Sequence, residues 1–428
     1  MTIQVQRENL MQLLEAAIAA ANPLLCVPPA LPKPPGKGRL IILGAGKGSA
    51  AMVQAAEEHY LDRDTPVAIT GCAVTRSGFT SPTRAIELLK GGHPVPDEGS
   101  VAAATRALEI ARSAGPDDLV LVLMSGGASA LWTAPAEGVT LEEKQHVTRG
   151  LLASGARISE INCVRKHLSR IKGGRLAHAA APARVVTLAI SDVPGDDPSA
   201  IGSGPTVGDP TSLADARAIL SDAKIDLPAS VAAALSDERN ETPQPDDPSF
   251  DGNDYILVSR PVDALSAASK IAGELGYKVQ LLGDAIEGEA REVARDHAAM
   301  ALDIKARGER TALMSGGEVT VTVTGKGKGG PNQEYALSLV DALEGAQGIS
   351  ALAADTDGTD GGEGSADDPA GAIVDPTTPE RAAGHGLIPA NFLQNNDSTG
   401  FFAILGDLVV TGPTRTNVND FRVILVNS

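Results

Sequence analysis

The chain has 428 residues, of which 43% are hydrophobic and 21% charged, and its formal net charge is -18. At roughly 150 residues per domain this length predicts two or three domains, and the charge excludes nucleic acid and anionic membrane surfaces as main partners, because both require clustered Lys and Arg. Aromatic residues make up 3%, so the core must be built from Ala, Val, Leu and Ile, as in alternating α/β folds.

Three cysteines, Cys26, Cys72 and Cys163, are odd in number and lack metal-ligand spacing. They point to a reduced, cytoplasmic protein in which each is a small core residue. No run of about 18 apolar residues is present to span a membrane. Glu8 and Glu15 stand where a signal peptide would be basic and then apolar, so the N-terminus reads as an amphipathic helix.

The proline-rich stretch 27–38 leads from that helix to a strand at 39–43. The strand runs into "LGAGKGSA" (43–50) and then a helix near 50–60. A Walker A loop is excluded, because Ile41 takes its outer glycine position and Gly48 its Ser/Thr position. A dinucleotide fingerprint is weakened, because Ser49 follows Gly44 and Gly46 at the third small position and the next strand, 66–70, ends without an acid. Glycines beside a helix start, with a lysine in the turn, still suit an anion, which makes Gly46 and Lys47 candidate phosphate contacts.

Further strands at 86–89, 118–124 and 184–190, with helices near 99–113, 141–153 and 159–171, give the rhythm of βαβ units. "LMSGGASALW" (123–132) is a strand entering a glycine turn, where Ser125, Gly126, Gly127 and Ser129 form a candidate anion nest. "NCVRKHLSRIKGGRLA" (162–177) concentrates Arg165, Lys166, His167, Arg170, Lys172 and Arg175 in one helical stretch, and Lys172 and Arg175 beside the Gly173-Gly174 pair are the stronger ligand candidates. In "LAISDVPGDDPSAIGSGPT" (188–206), Asp192 stands at the carboxyl end of a strand, as a catalytic base or metal ligand would, and Gly202, Ser203 and Gly204 form a compact loop.

The polar, acidic segment 236–254 reads as the domain boundary. Beyond it come strand 255–258, helix 261–275, strand 278–282, helix 286–306 and strand 311–314. "EVTVTVTG" (318–325) alternates with period two, and 406–426 reads as a hairpin with a long loop, so the second sheet should be mixed. "KGKGGPNQEYAL" (326–337) offers Lys326 and Lys328 ahead of a helix at Asn332 that carries Glu334. Asp355, Asp357 and Asp360 cluster in "ADTDGTDGGEG" (354–364), a composition that suits a hard divalent cation, a ribose, or a loop of Asx turns. The echo of Leu123-Met124-Ser125-Gly126-Gly127 in Leu313-Met314-Ser315-Gly316-Gly317 puts a similar turn after one strand in each domain.

Taken together, "GAGKGSAAM" (44–52), "GGHPVPDEGS" (91–100), "SGGASAL" (125–131), "INCVRKHLSRIKGGRLA" (161–177), "ISDVPGDDPSAIGSGPT" (190–206), "SGGEVTVTVTGKGKGGPNQE" (315–334) and "ADTDGTDG" (354–361) resemble the class II glycerate kinases. That resemblance implies an α/β protein of two domains. Residues 1–240 would form a Rossmann-like, mainly parallel sheet with helices on both faces, and 250–428 a mixed-sheet domain containing the MOFRL region at about 310–425. It further implies Mg²⁺-requiring transfer of phosphate from ATP to D-glycerate, giving 2-phosphoglycerate in a cleft between the domains. Lys47 and Asp192 would hold the catalytic roles, with Asp355, Asp357 and Asp360 as metal candidates and a homodimer as the assembly to test. Many members have Arg in "GGRNQE"; here Pro331 occupies that position, so Lys326 or Lys328 would have to replace its charge. Two other classes compete: a nicotinamide-dependent hydroxypyruvate reductase, and a non-catalytic protein that binds nucleotide or organic acid.

Overall fold

The computed structural model describes residues 1–62, 67–362 and 364–427. The chain divides into two compact units, one of Cys26–Val258 and the other of Met1–Leu25 with Ser259–Ser428.

The first unit is built on a six-stranded sheet in the order β3 (Glu87–Lys90), β2 (Ile69–Thr75), β1 (Leu40–Ala45), β4 (Leu119–Met124), β5 (Arg184–Ile190), β6 (Asp254–Ser259). Parallel pairing joins β1 to both β2 and β4, β2 to β3, and β4 to β5. Every residue of β1 and β4 is buried, which is why these strands read as continuous apolar runs rather than as alternation. The intervening helices start where their caps direct. Asp97 accepts the Ser100 N–H ahead of helix 98–112, and Thr140 and Glu143 form a reciprocal capping box ahead of helix 141–153.

Three expectations for this unit change. The strand expected at 66–70 runs instead over 69–75, with residue 66 outside the described residues, and it ends at Thr75 before Arg76, so it still lacks a terminal acid. The strand expected to open the second domain is β6, which closes the first sheet; Asn253 Oδ1 accepts the Val185 N–H at 2.7 Å and seats it beside β5. The helix expected at 159–171 stops at His167, and the Gly173-Gly174 pair that follows takes positive φ values of 58° and 78°.

The second unit carries a mixed sheet in the order β13 (Leu408–Val409), β12 (Gly371–Val374), β11 (Ile349–Asp355), β14 (Asp420–Val426), β9 (Thr311–Ser315), β7 (Lys278–Gly283), and a two-stranded ribbon of β8 (Gly288–Glu289) with β10 (Val319–Thr320). Within the six-stranded sheet the β7–β9 pair is parallel and the other pairs are antiparallel, and the β8–β10 ribbon is parallel. No hairpin spans 406–426, because β14 is buried along its whole length and takes a central place between β11 and β9, while β13 lies at the edge. Of the period-two stretch 318–325 only Val319–Thr320 pairs as strand. The backbone N–H of Thr322 goes to Glu289, and those of Thr324 and Gly325 go to Asn396 Oδ1 at 2.8 Å, so side chains replace a ladder.

The N-terminal helix Ile3–Ala20 belongs to this second unit, which departs from the expected domain of 1–240. Arg7 pairs with Asp375 and Asp407, Ser350 Oγ donates to Gln6 Oε1 at 2.5 Å, and Thr416 Oγ1 donates to the Ala21 carbonyl at 2.6 Å. Among the described residues no single helix is long and apolar enough to cross a membrane.

One buried carboxylate sets the approach to β3. Glu57, on helix 49–61, accepts the backbone N–H groups of Arg84, Ala85 and Ile86 at 2.6 to 2.8 Å. Glu57→Ala leaves three donors unpaired and should lower unfolding free energy by on the order of 3 kcal/mol, read from the urea midpoint; an unchanged midpoint would show that water replaces the carboxylate at no cost.

Candidate active site

In the first sheet the strand order reverses direction at β1, with β2 on one side and β4 on the other. Such a switch point, at the carboxyl ends of the strands, is where open α/β sheets bind ligands. The turn after β1 and the turn after β4 meet there. The Lys47 N–H donates to the Gly126 carbonyl at 2.8 Å, and the Gly48 N–H donates to Ser125 Oγ at 2.8 Å. Gly46 has φ 130°, and a Cβ on it would stand 2.2 Å from Ser125 Oγ, so only glycine permits this approach. Ser49 turns inward, donating to the carbonyls of Gly46 and Val74.

These contacts revise the role expected of the first loop. Its N–H groups at Lys47 and Gly48 are spent on the neighbouring turn, so they form no backbone nest. The free donors lie one strand over. The N–H groups of Gly126 and Gly127 have no acceptor among the described residues, and Gly127 adopts φ 84° at the start of the short helix 128–131. A Cβ on Gly127 would lie 2.8 Å from His93 Cδ2 and 3.5 Å from Lys47 Cγ. His93, Lys47 and the Ser125–Gly127 turn therefore converge.

His93 was not singled out from sequence, although it sits in the family stretch 91–100. Burial, with Lys47 and Arg76 nearby, pushes its imidazole down to about 3, and its buried Nδ1 has no hydrogen-bond partner among the described residues. Asp192 follows Ser191 just beyond β5, half-buried, on the strand next to β4. The carboxyl ends of the adjacent strands β1, β4 and β5 thus carry Lys47, the Ser125–Gly127 turn and Asp192 in sheet order.

Lys172 is drawn to this edge in a different capacity. Its buried ammonium donates to Ser129 O at 2.9 Å, Ser129 Oγ at 3.1 Å and the Gly202 carbonyl at 3.0 Å, so its hydrogens are committed to protein. Burial lowers its pKa well below that of a free lysine. Ser129 Oγ also meets Ser203 Oγ at 3.0 Å, and the N–H groups of Gly173 and Gly174 hold the carbonyls of Ser203 and Gly204. Lys172, Ser129 and Gly202–Gly204 therefore form a clamp that ties the loop after β5 to the turn after β4. Arg175 departs from expectation: its guanidinium goes to the carbonyls of Asn240 and Glu241, in a separate groove shared with Arg112 and Arg170.

The candidates of the second unit serve mostly structural ends. The side chains of Lys326 and Lys328 are exposed, while their backbone N–H groups go to Asn395 and Asp397. Asn332 is buried against Asp360 and Asp420, and Glu334 is buried against Arg291 at 2.6 Å. Pro331 opens helix 331–343, a position where its missing N–H costs nothing. The structure does not bring Asp355, Asp357 and Asp360 together as a set of three ligands among the described residues. Asp360 turns inward to accept the N–H groups of Asn332 and Gln333 at 3.0 and 2.8 Å, Asp355 accepts from the Asp357 N–H, and Asp357 from the Thr359 N–H. The cluster is a helix cap with two Asx turns.

Against known proteins, residues 9–236 match the model of a domain of unknown function (DUF4147), and residues 311–420 match the MOFRL family. A protein of Agrobacterium vitis named putative hydroxypyruvate reductase is 49% identical over 98% of this chain and 94% of its own length. The D-glycerate 2-kinase of Thermotoga maritima is 38% identical over 97% of each chain. The crystal structure of a Thermotoga maritima glycerate kinase matches 99% of this chain and all of its own with a TM-score of 0.86 at 37% identity. Full-length likeness in sequence and in fold, with both domain models matched in order, shows that this chain belongs to the class II glycerate kinase family.

Proposed function

We propose that this protein transfers the terminal phosphoryl group of ATP to the 2-hydroxyl of D-glycerate. The observation that carries the proposal is the row of Lys47, the Ser125–Gly127 turn and Asp192 along three adjacent strand ends at the switch point, in a chain 38% identical to a D-glycerate 2-kinase. Phosphoryl transfer asks mainly for positioning and charge neutralisation, which this inventory supplies without a covalent nucleophile.

In this reading Lys47 neutralises charge on the transferred group, and the N–H groups of Gly126 and Gly127 bind its oxygens or the glycerate carboxylate. Asp192 orients the 2-hydroxyl and accepts its proton as the oxygen attacks phosphorus. His93 stays neutral beside Lys47, so it hydrogen-bonds without adding a second positive charge. Mg²⁺, when bound together with the nucleotide, would supply screening of phosphate charge beside Lys47. We place the enzyme in the cytoplasm, in keeping with three cysteines that form no disulfide.

A reductase reading draws on the names of two Agrobacterium vitis relatives, each called putative hydroxypyruvate reductase. Against it stand Ser49 where a third small fingerprint residue would lie and the Thr75-Arg76 end of β2 where a ribose acid would lie. A coupled assay with ATP, Mg²⁺ and D-glycerate, read through enolase with phosphoglycerate mutase omitted, should give signal, because only the 2-phosphate is an enolase substrate. NADH oxidation with hydroxypyruvate and no ADP from glycerate would reverse the assignment.

Lys47→Ala should lower kcat by roughly 100-fold or more with an unchanged denaturation midpoint, and Asp192→Asn by a similar factor. Near-normal turnover in either variant removes that residue from the chemistry. The imidazole supplies a pH test. Its pKa of about 3 in the fold lies below the ordinary value of 6.5, so the stability contributed by neutral His93 is complete above pH 6.5 and is lost as pH falls toward 3. Between pH 7 and about pH 4.5 the denaturation midpoint should therefore drop further in the natural protein than in His93→Gln; equal drops would mean that His93 is not desolvated.

A further inference from the structure

The basic run 165–175 is almost wholly committed to protein. Lys166 pairs with Asp209 at 3.1 Å, His167 meets the Cys163 carbonyl, Arg170 donates to the Pro135 carbonyl, Lys172 to the Ser129–Gly202 clamp, and Arg175 to the carbonyls of Asn240 and Glu241. Arg165 is the exception, since its guanidinium has neither a hydrogen bond nor an ion pair among the described residues. Its backbone is held in place, because the buried Lys144 ammonium donates to the Arg165 carbonyl at 3.0 Å. Burial holds the guanidinium below its ordinary pKa, a cost that no protein anion offsets.

Arg165 faces a cavity of about 470 Å³ that also reaches His93 and Gly127, beside Lys47. Among the described residues no Asp or Glu lines it, in a protein with a net charge of -18, while Arg149 adds positive charge. Its outer wall is apolar: Val95 and Leu152, 62% and 58% exposed, flank it together with Leu141. A three-carbon acid is far too small to fill such a space or to use that wall. A ligand with a flat apolar end and a polyanionic end matches both halves, and the volume falls in the range of drug-sized ligands.

We propose that this cavity seats the nucleoside triphosphate, with its base against Val95, Leu141 and Leu152 and its phosphates on Arg165 and Arg149, the terminal phosphate reaching Lys47 past Gly127. The proposal rests on the kinase reading for the identity of the ligand. Arg165 is then a nucleotide-binding residue, and the Pro94–Pro96 segment together with helix 141–153 forms the walls of the seat.

Calorimetric titration with ADP tests it, alongside steady-state kinetics. Arg165→Met should weaken ADP binding by about 10-fold or more, and Thr148→Trp, which fills the cavity from the half-exposed face of its helix, should do the same, with KM for glycerate unchanged in both. Arg165→Lys should recover part of the affinity, which a merely packing role for Arg165 would not predict. ADP affinity unchanged in the folded Trp variant, or a raised glycerate KM with normal ADP binding, overturns the assignment. If the natural protein binds ADP in this manner but yields no phosphorylated glycerate, the nucleotide seat stands and the kinase reading falls. If it does not bind ADP at all, the seat itself is refuted.

Discussion

The site depends on two backbone donors being satisfied by a neighbouring turn. When the N–H groups of Lys47 and Gly48 close on Gly126 and Ser125, the loops after β1 and β4 become one surface rather than two. Gly46 is the residue that allows this, because any Cβ there would collide with Ser125. A loop that has spent these amides on its neighbour does not present them as the phosphate cradle of a dinucleotide fold.

The surrounding structure holds that surface in position from three sides. Glu57 fixes the chain that enters β3 and so leads toward His93. Lys172 bridges the turn after β4 and the loop after β5, where its buried Nζ with carbonyl and hydroxyl partners acts as a rigid three-way joint. Lys144 fixes the backbone at the end of helix 158–167. Two lysines in an acidic protein are therefore used as internal fasteners, and the uncommitted positive charge is left where a polyanion would meet it. The net charge of the whole chain thus says little about its ligand; the local arrangement of cations decides it.

Much of the first unit was legible because parallel strands buried on both faces are written as unbroken apolar runs. Strands 118–124 and 184–190 and helix 141–153 lie where the alternating α/β pattern of the sequence put them. The failures share a cause. The period-two stretch 318–325 has strand chemistry, but its backbone donors are taken by Glu289 and Asn396, residues distant in sequence. The apparent hairpin at 406–426 comes apart because β14 finds buried neighbours on both sides. Asp355, Asp357 and Asp360 have the composition of a cation site and the geometry of turns and a cap, and composition cannot tell one from the other.

The sequence by itself determined the class of fold, the mixed character of the second sheet and the family, since these rest on local propensity and on long idiosyncratic motifs. Only the tertiary structure decided which cations were available. Arg165, Lys172 and Arg175 are alike on paper, separated by a few residues in one basic run. Their fates diverge according to which carbonyls and hydroxyls the fold brings within about 3 Å of each, a distance set by segments far apart in the chain. The same holds for His93, whose imidazole is kept neutral by burial beside Lys47 and Arg76 rather than by its neighbours in sequence.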